Sequence, residues 1–549
     1  MAIGPQLVKD LGRVLRLKKI AKGSAILDKA AGALEQLLPG DSWTIDVLLL
    51  VAQWVDAGYS NQQLLETISL KFIPEWRRKL TLEQYLRLRL VDGFRSLIKE
   101  DVDAAIETLD FVISALRDTP EERLAMLAHF WKGRAHRKKG EYETALKEIV
   151  DARELAQTFS DDAMLTSVIQ IHEAWLLFQK GMRKEALRLL TQAETELKGT
   201  DHYVALGNIE SARGRILRRS GEYSRALEHF DRAIAIYSAG NPTHRNLART
   251  LVNAAYVKRL LAVQLRKRID ARAAKPNPSR TRNKVMADVT GPAALRGRYL
   301  QFCQEAMLQL RQAKEIYTLH AHSGGIGSVI VNSGYLHLDQ GDIDHAAQEA
   351  LEAYRIGTEK SDQILMARAR VLQTAAENAK VEEQLGEDVD AALHANHAKQ
   401  FSEEAVALAR HTQNRPLQAA AYIARGMTAA NDFFQEWELA KRCASQAANL
   451  IGEGENHHLV EELAALKSHI MQASGINETL RGWSEGMVGD KSFQQVTEEF
   501  AEIVIPKVWI REGKRISRVA ESLSISPKKV RRVLRSAGCL DRFEPTRDR

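Results

Sequence analysis

Small and apolar positions return along most of the 549-residue chain at spacings of three, four and seven, the periodicity of helices packed face against face. In "GRAHRKKGEYETALKEIVDA" the recurring positions are Gly133, Gly140, Tyr142, Ala145, Ile149 and Ala152. They return as Gly214, Gly221, Tyr223, Ala226, Phe230 and Ala233, and again as Gly334, Gly341, Ile343, Ala346, Ala350 and Ala353. Ala174, Gly181, Ala186, Leu190 and Ala193 make a fourth copy. Each copy predicts two helices. The first and third markers of small size sit where the helices cross closely. The glycine between them can take the left-handed conformation that lets the chain turn back. Tyr or Ile two residues later, with Phe, Ile or Leu on the second helix, fills the space between neighbouring pairs.

Weaker copies extend the array through Gly93, Ala105 and Leu109, through Ala254 with Ala306, Leu310 and Ala313 across an inserted segment, and through Ala398 with Ala405 and Ala440 with Ala444 and Ala447. This pattern resembles the tetratricopeptide repeat, a helix–turn–helix pair of about 34 residues. Ala105, Ala145, Ala186 and Ala226 are spaced by 40, 41 and 40 residues, so each helix is expected to be nearly a turn longer than in the standard unit. Long-helix variants of this kind occur in bacterial regulators with tetratricopeptide-like sensor regions. The resemblance implies an all-α fold, a right-handed α-solenoid of long helix pairs followed by a small C-terminal helix-turn-helix domain. The expected organisation is a helical cap over 1–80, a solenoid over 81–473 with a basic, flexible insert at about 270–294, a linker over 474–492, and a terminal domain over 493–549. In the cap, Asp41 or Ser42 is expected to start a helix that stops near Gly58.

The last 57 residues change periodicity. Phe493, Val496, Phe500, Ile503, Val504 and Val508 mark one amphipathic helix. Ile516, Val519, Ala520 and Leu523 mark the inner face of a short one, with Ile525 plugging the turn. Ser526 then caps a third helix that has Pro527 in its first turn, where a missing N–H costs nothing. Val530, Val533 and Leu534 point inward, and Lys528, Lys529, Arg531, Arg532 and Arg535 outward. The positions Val519, Ala520, Leu523, Ile525, Ser526, Val530, Leu534 and Gly538 resemble the Fis-type helix-turn-helix of bacterial transcriptional activators. The match departs at Ser524, where Gly is usual, and at Arg531, where Tyr is usual. The resemblance implies a homodimer formed through the 493–511 helix and binding of double-stranded DNA in the major groove. Ser526, Lys528, Lys529, Arg531, Arg532 and Arg535 would be the contacts.

Charge sharpens this picture. The net charge is +7, yet 491–549 carries +6, 258–300 carries +10 and 1–30 carries +5, leaving an acidic body. Such zoning suits selective contact with polyanions. In a solenoid the first helix of each pair lines a concave groove. Counting forward from the marker glycine places Arg134, Arg137, Trp175, Phe178, Arg215, Arg218, Lys258, Asn332 and Tyr335 beside it. Guanidinium groups there suit carboxylates or phosphates, so a peptide or protein ligand is expected in the groove.

Other chemistry is weakly signalled. "HSGGIGSVI" has a phosphate loop's glycines without its Lys-Ser/Thr, and reads as a loop between repeats. His394 and His397 lack the further ligands of a metal site. No nucleophile–base set is evident, so neither catalysis nor a cofactor is expected. Three cysteines, odd in number and far apart, argue against a disulfide framework and for a cytoplasmic location, and the apolar run "IDVLLLVAQWV" is too short to cross a membrane. The chain is therefore expected to be a DNA-binding regulator with a partner-sensing solenoid. The alternative is a non-enzymatic repeat scaffold whose basic tail binds RNA or an acidic partner without sequence preference.

Overall fold

The computed structural model describes residues 5–41, 43–117, 119, 121–159, 161–273, 292–383, 388–452, 457–473, 483 and 489–540. Among them every regular element is a helix. Five precede the repeats: α1 (Pro5–Arg16), α2 (Ile20–Leu34), α3 (Thr44–Ala57), α4 (Gln62–Leu70) and α5 (Pro74–Arg77). Eight pairs follow. They are α6 (Leu82–Ile98) with α7 (Val102–Leu116), α8 (Glu122–Lys139) with α9 (Tyr142–Gln157), α10 (Ala163–Gln179) with α11 (Arg183–Leu197), and α12 (Tyr203–Arg219) with α13 (Tyr223–Gly240). Then come α14 (Arg245–Ala273) with α15 (Pro292–Leu319), α16 (Ser323–Gln340) with α17 (Ile343–Glu359), α18 (Gln363–Glu383) with α19 (Asp388–Arg410), and α20 (Arg415–Ala429) with α21 (Trp437–Leu450). The remainder are α22 (His457–Ala473), α23 (Phe493–Arg511), α24 (Ile516–Ser522) and α25 (Pro527–Ser536). No described helix is long and apolar enough to cross a membrane.

Two compact units divide the chain, Met1–Leu463 and Ala464–Arg549. The first is an α-solenoid in which each pair packs on the next and the first helices of successive pairs lie side by side. The expected small residues make this possible. Ala105, Ala145, Ala186, Ala226, Ala346, Ala405 and Ala440 are fully buried. A Cβ added at Gly133 would lie 2.8 Å from Ile149, and one at Gly214 2.7 Å from Phe230, so both positions need glycine for the crossing to close. Gly140, Gly181, Gly221 and Gly341 all take positive φ, between 79° and 87°, where the first helix of each pair turns into the second.

The N-terminal helices belong to the same core as the repeats rather than forming a separate lid. Helix α3 is buried nearly all round, and Trp54 from it fills the space left at Gly23 of α2. Its N-cap is Trp43, with no side-chain capping bond, in place of the expected Asp41; Ser42 lies outside the described residues. Gly58 does end it, at φ 117°. The glycines of "HSGGIGSVI" are helical, not a loop. His322 caps α16 by accepting the Gly325 N–H at 2.8 Å, and Gly325 leaves room for the Tyr317 ring. The insert is shorter than expected at both ends, because α14 runs to Ala273 and α15 begins at Pro292; its centre lies outside the described residues, as does most of the 474–492 linker.

The array winds back on itself. The Gln413 N–H donates to the Gly140 carbonyl at 3.0 Å, and Gln413 Oε1 accepts the Glu143 N–H at 2.7 Å. The Tyr203 hydroxyl donates to the Gly58 carbonyl at 2.5 Å, and the Asp201 carboxylate caps α2 through the Ile20 and Ala21 N–H groups. Buried Lys18 meets Asp162 at 2.9 Å. These bonds join turns far apart in sequence, so the inner faces of the first helices surround an interior space.

The second unit contains α23, α24 and α25 around a core of Ile505, Val508, Ile516, Val519, Ala520, Val530, Val533 and Leu534. Both short helices bury the faces expected of them. The long one buries Val508 as expected and packs Val504 against the core beside Ile505, while Phe493 and Phe500 stay exposed, because the short helices pack against its C-terminal half. Ser524, standing where the Fis-type pattern has glycine, is held at φ 52°, a left-handed conformation that a Cβ disfavours.

Candidate functional site

The interior space of the solenoid is a cavity of about 470 Å³ lined from α3, α6, α8, α10, α12, α14 and the turns that close the array. Of the expected groove residues, Arg134, Arg137, Trp175 and Arg215 line it. Trp175 organises the two arginines without an acidic partner. Arg137 lies 5.1 Å from its ring centroid and Arg215 5.9 Å, while Tyr142 meets it edge-on. Arg134 instead forms an ion pair with Asp56 of α3, whose other oxygen accepts the Trp131 indole N–H at 3.0 Å.

Arg218, Asn332 and Tyr335 do not line the cavity. Arg218 donates to Asn253 at 2.8 Å and lies over Tyr256, one turn further along α12. Asn332 is buried and donates to the Ser328 carbonyl of its own helix, and Tyr335 carries Arg259, which is itself paired with Asp339. Phe178 is buried beneath Arg219, and Lys258 pairs with Glu305 at 2.7 Å.

Five further groups that the marker spacing does not reach complete the wall: Lys138, Arg245, Arg249, Asn208 and a set of histidines. The Asn208 carboxamide oxygen accepts from Arg249 at 2.9 Å, Tyr237 at 2.9 Å and Asn246 at 3.3 Å. Arg245 donates to the Ile98 carbonyl at 3.3 Å. Arg215 reaches only the Ser211 carbonyl of its own helix. Arg137 has no acidic partner among the described residues, and its Nε, like those of Arg249 and the Trp175 indole, is buried without a hydrogen-bond partner.

Electrostatics follow from this crowding. Burial first, then repulsion from Arg249 and Arg134, lowers Arg137 to about 9. Burial and the neighbouring Arg249, Arg137 and Arg218 hold Arg215 well below its ordinary value, and burial brings Lys138 down to about 8 despite Glu100. The histidines stay neutral at pH 7. His202 is lowered to about 3 by burial and Lys18, and His244 to about 3 by burial, Arg245 and Arg249. His172 is lowered well below its usual value by burial and four arginines. Among the described residues eight Lys/Arg and two Asp line the cavity, so its lining carries a surplus of positive charge.

The residues expected to meet DNA cluster on α25. The Ser526 hydroxyl caps it by accepting the Lys529 N–H at 3.2 Å, and Lys528, Lys529, Arg532 and Arg535 are exposed. Arg531 is half-buried, in contrast to the outward position expected of it, because the helix turns that side toward its neighbours. His394 and His397 are brought to Glu377, at 2.6 and 3.7 Å, the first being hydrogen-bond distance.

The fold makes this chain a tetratricopeptide-like α-solenoid protein. No family model matches it, and no curated protein matches it in sequence. Among solved structures it is similar to a Rap protein complexed with competence and sporulation factor, 11% identical over 73% of this chain and 98% of that one, with a TM-score of 0.49. It is similar also to apo RapI, 13% identical over 74% of this chain and 97% of that one, TM-score 0.40. A human IFIT1 dimer with m7Gppp-AAAA is 10% identical over 81% of this chain and 94% of that one, TM-score 0.41. At these identities and scores no ligand or role passes from them to this chain.

Proposed function

We propose that this chain is a non-enzymatic helical-repeat receptor, a binding scaffold whose solenoid takes an anionic ligand or the anionic end of a partner into its cavity. The observation that carries this reading is the group of Arg137, Arg215 and Arg249, three guanidiniums in one cavity that form no ion pair with a carboxylate among the described residues. Burying unpaired cations costs free energy in the empty protein, and a bound anion removes that cost. The volume falls within the roughly 300–1,000 Å³ of ligand sites and admits a small molecule or a short chain end, not a folded partner. In a thermal-shift series at low ionic strength, compact polyanions are expected to raise the melting temperature and spermine is not. An unchanged melting temperature with every anion would remove the reading.

A second contact, with nucleic acid, is supported by four exposed cations on α25. On this reading the second unit docks on double-stranded DNA as a homodimer, making the chain a regulator whose solenoid is the input. The full chain is expected to bind duplex DNA with a salt dependence set by phosphate contacts. Lys528→Ala/Arg532→Ala should lower the slope of log affinity against log salt by about 1.8, two contacts' worth. Fluorescence anisotropy across a salt series measures it, and an unchanged slope would place the DNA contact elsewhere or nowhere.

A further inference from the structure

We propose that the cavity's ligand carries phosphate, as a phosphate ester or polyphosphate of about nucleotide size, with the phosphate oxygens held by Arg137, Arg215 and Arg249; this rests on the anionic-receptor reading above.

Charge separates phosphate from carboxylate. Among the eight cations of the wall, Lys18, Arg123 and Arg134 have Asp162, Asp161 and Asp56 at ion-pair distance, and Lys138 has Glu100 at 3.9 Å. Among the described residues, Arg137, Arg215, Arg245 and Arg249 have carbonyl or amide oxygens as hydrogen-bond partners, or none. A carboxylate would bring one negative charge and two coplanar oxygens to these four groups. A phosphate monoester brings about 1.5 to 2 charges and three oxygens, and a polyphosphate more in little added volume. In a space of about 470 Å³, compactness of charge matters. A peptide would need several acidic side chains within three or four residues to match it.

Donor type and direction agree with this. All four are arginines, whose planar forks match tetrahedral phosphate oxygens from several sides, and of them Arg245 also feels the Glu100 and Asp56 carboxylates. The four come from three separate inner helices, α8, α12 and α14, so they approach from different directions rather than as one flat clamp. Buried polar atoms also remain unpartnered. Arg137 Nε and Arg249 Nε add donors at the cationic centre. His202, 4% exposed, leaves Nδ1 without a partner in the cavity wall. A neutral imidazole there adds a hydrogen-bonding group for a hydroxyl on the ligand's uncharged part without adding charge.

The test uses the full chain with tripolyphosphate, ATP and hexaglutamate as probes, read by isothermal titration calorimetry and, for tripolyphosphate, by ³¹P line broadening. The expected result is binding of tripolyphosphate or ATP, weakened about 30-fold by Arg137→Gln and by Arg215→Gln and unchanged in Arg355→Gln, which alters an exposed arginine of α17 outside the wall. Arg215→Lys keeps the charge and loses the fork, and is expected to fall between. Binding of hexaglutamate with no phosphate probe bound would overturn the phosphate assignment and leave the anionic receptor standing. Binding of none of the three would overturn both.

Discussion

Trp131→Ala is expected to lower the unfolding free energy of the solenoid by about 4 kcal/mol, the largest loss from any single truncation near the cavity. Trp131 is fully buried, stacks on Phe94 with ring centroids 4.4 Å apart, and donates its indole N–H to Asp56. Removing it opens a cavity that the surrounding first helices are too tightly crossed to close, and leaves one Asp56 oxygen unanswered. The same Asp56 holds Arg134 away from the unpaired arginines. Trp131→Phe keeps the stack and loses only the hydrogen bond, so it should cost about 1 kcal/mol. Urea midpoints of the two variants measure the difference. A loss under 1 kcal/mol for the alanine would mean that α8 and α6 do not pack as described.

Arg215→Met should act in the opposite direction, raising the stability of the ligand-free protein by about 1–2 kcal/mol at pH 7. Arg215 gives the fold little, one bond to a carbonyl of its own helix, while its charge opposes those of Arg249, Arg137 and Arg218. Methionine keeps the length and lies against Trp175 as an apolar side chain. Stabilisation accompanied by loss of anion binding is the signature of a group retained for its ligand. A destabilised Arg215→Met would make this arginine a structural residue. The pH dependence has the same origin. Lys138 and Arg137 titrate near 8 and 9 in the folded protein, below their ordinary values of 10.5 and 12.5, so above pH 8 the unfolded chain holds more protons than the folded one. Their contribution to stability therefore rises as pH increases through 8 and 9.

Much of the solenoid was legible because its constraints are local. A crossing that admits only glycine or alanine leaves that residue at a fixed offset in each copy, and the left-handed turn leaves a glycine seven residues on. Counting forward from Gly133, Ala174 and Gly214 reached Arg134, Arg137, Trp175 and Arg215, since one face of the first helix points inward. The same count also gave Arg218 and Tyr335, and the position two before Gly334 gave Asn332; all three lie along first helices but outside the cavity wall. Arg245 and Arg249 were missed because they precede Ala254, the marker of their helix, on turns that a forward count does not visit. Asp56, His202 and His322 come from the N-terminal helices and the turns. Only the closure of the array brings them to the site, and closure depends on pairings such as Gln413 with Gly140, which no local period encodes. In the second unit, the faces of α24 and α25 followed from spacing, but how much of the α23 stripe is buried depends on which half of it the short helices cover.

That closing contact also sets an order of events in time. Glu143 and Gln413 are 270 residues apart, and synthesis at about 5–20 residues per second separates their appearance by roughly 15 to 55 seconds. Through that interval α8, α10 and α12 are complete while the last turns are still being made. Arg215 and Arg249 already repel one another once α12 and α14 pack, and the ring shuts only when the turn at Gln413 arrives. The walls of the cavity are therefore made well before the contact that closes it.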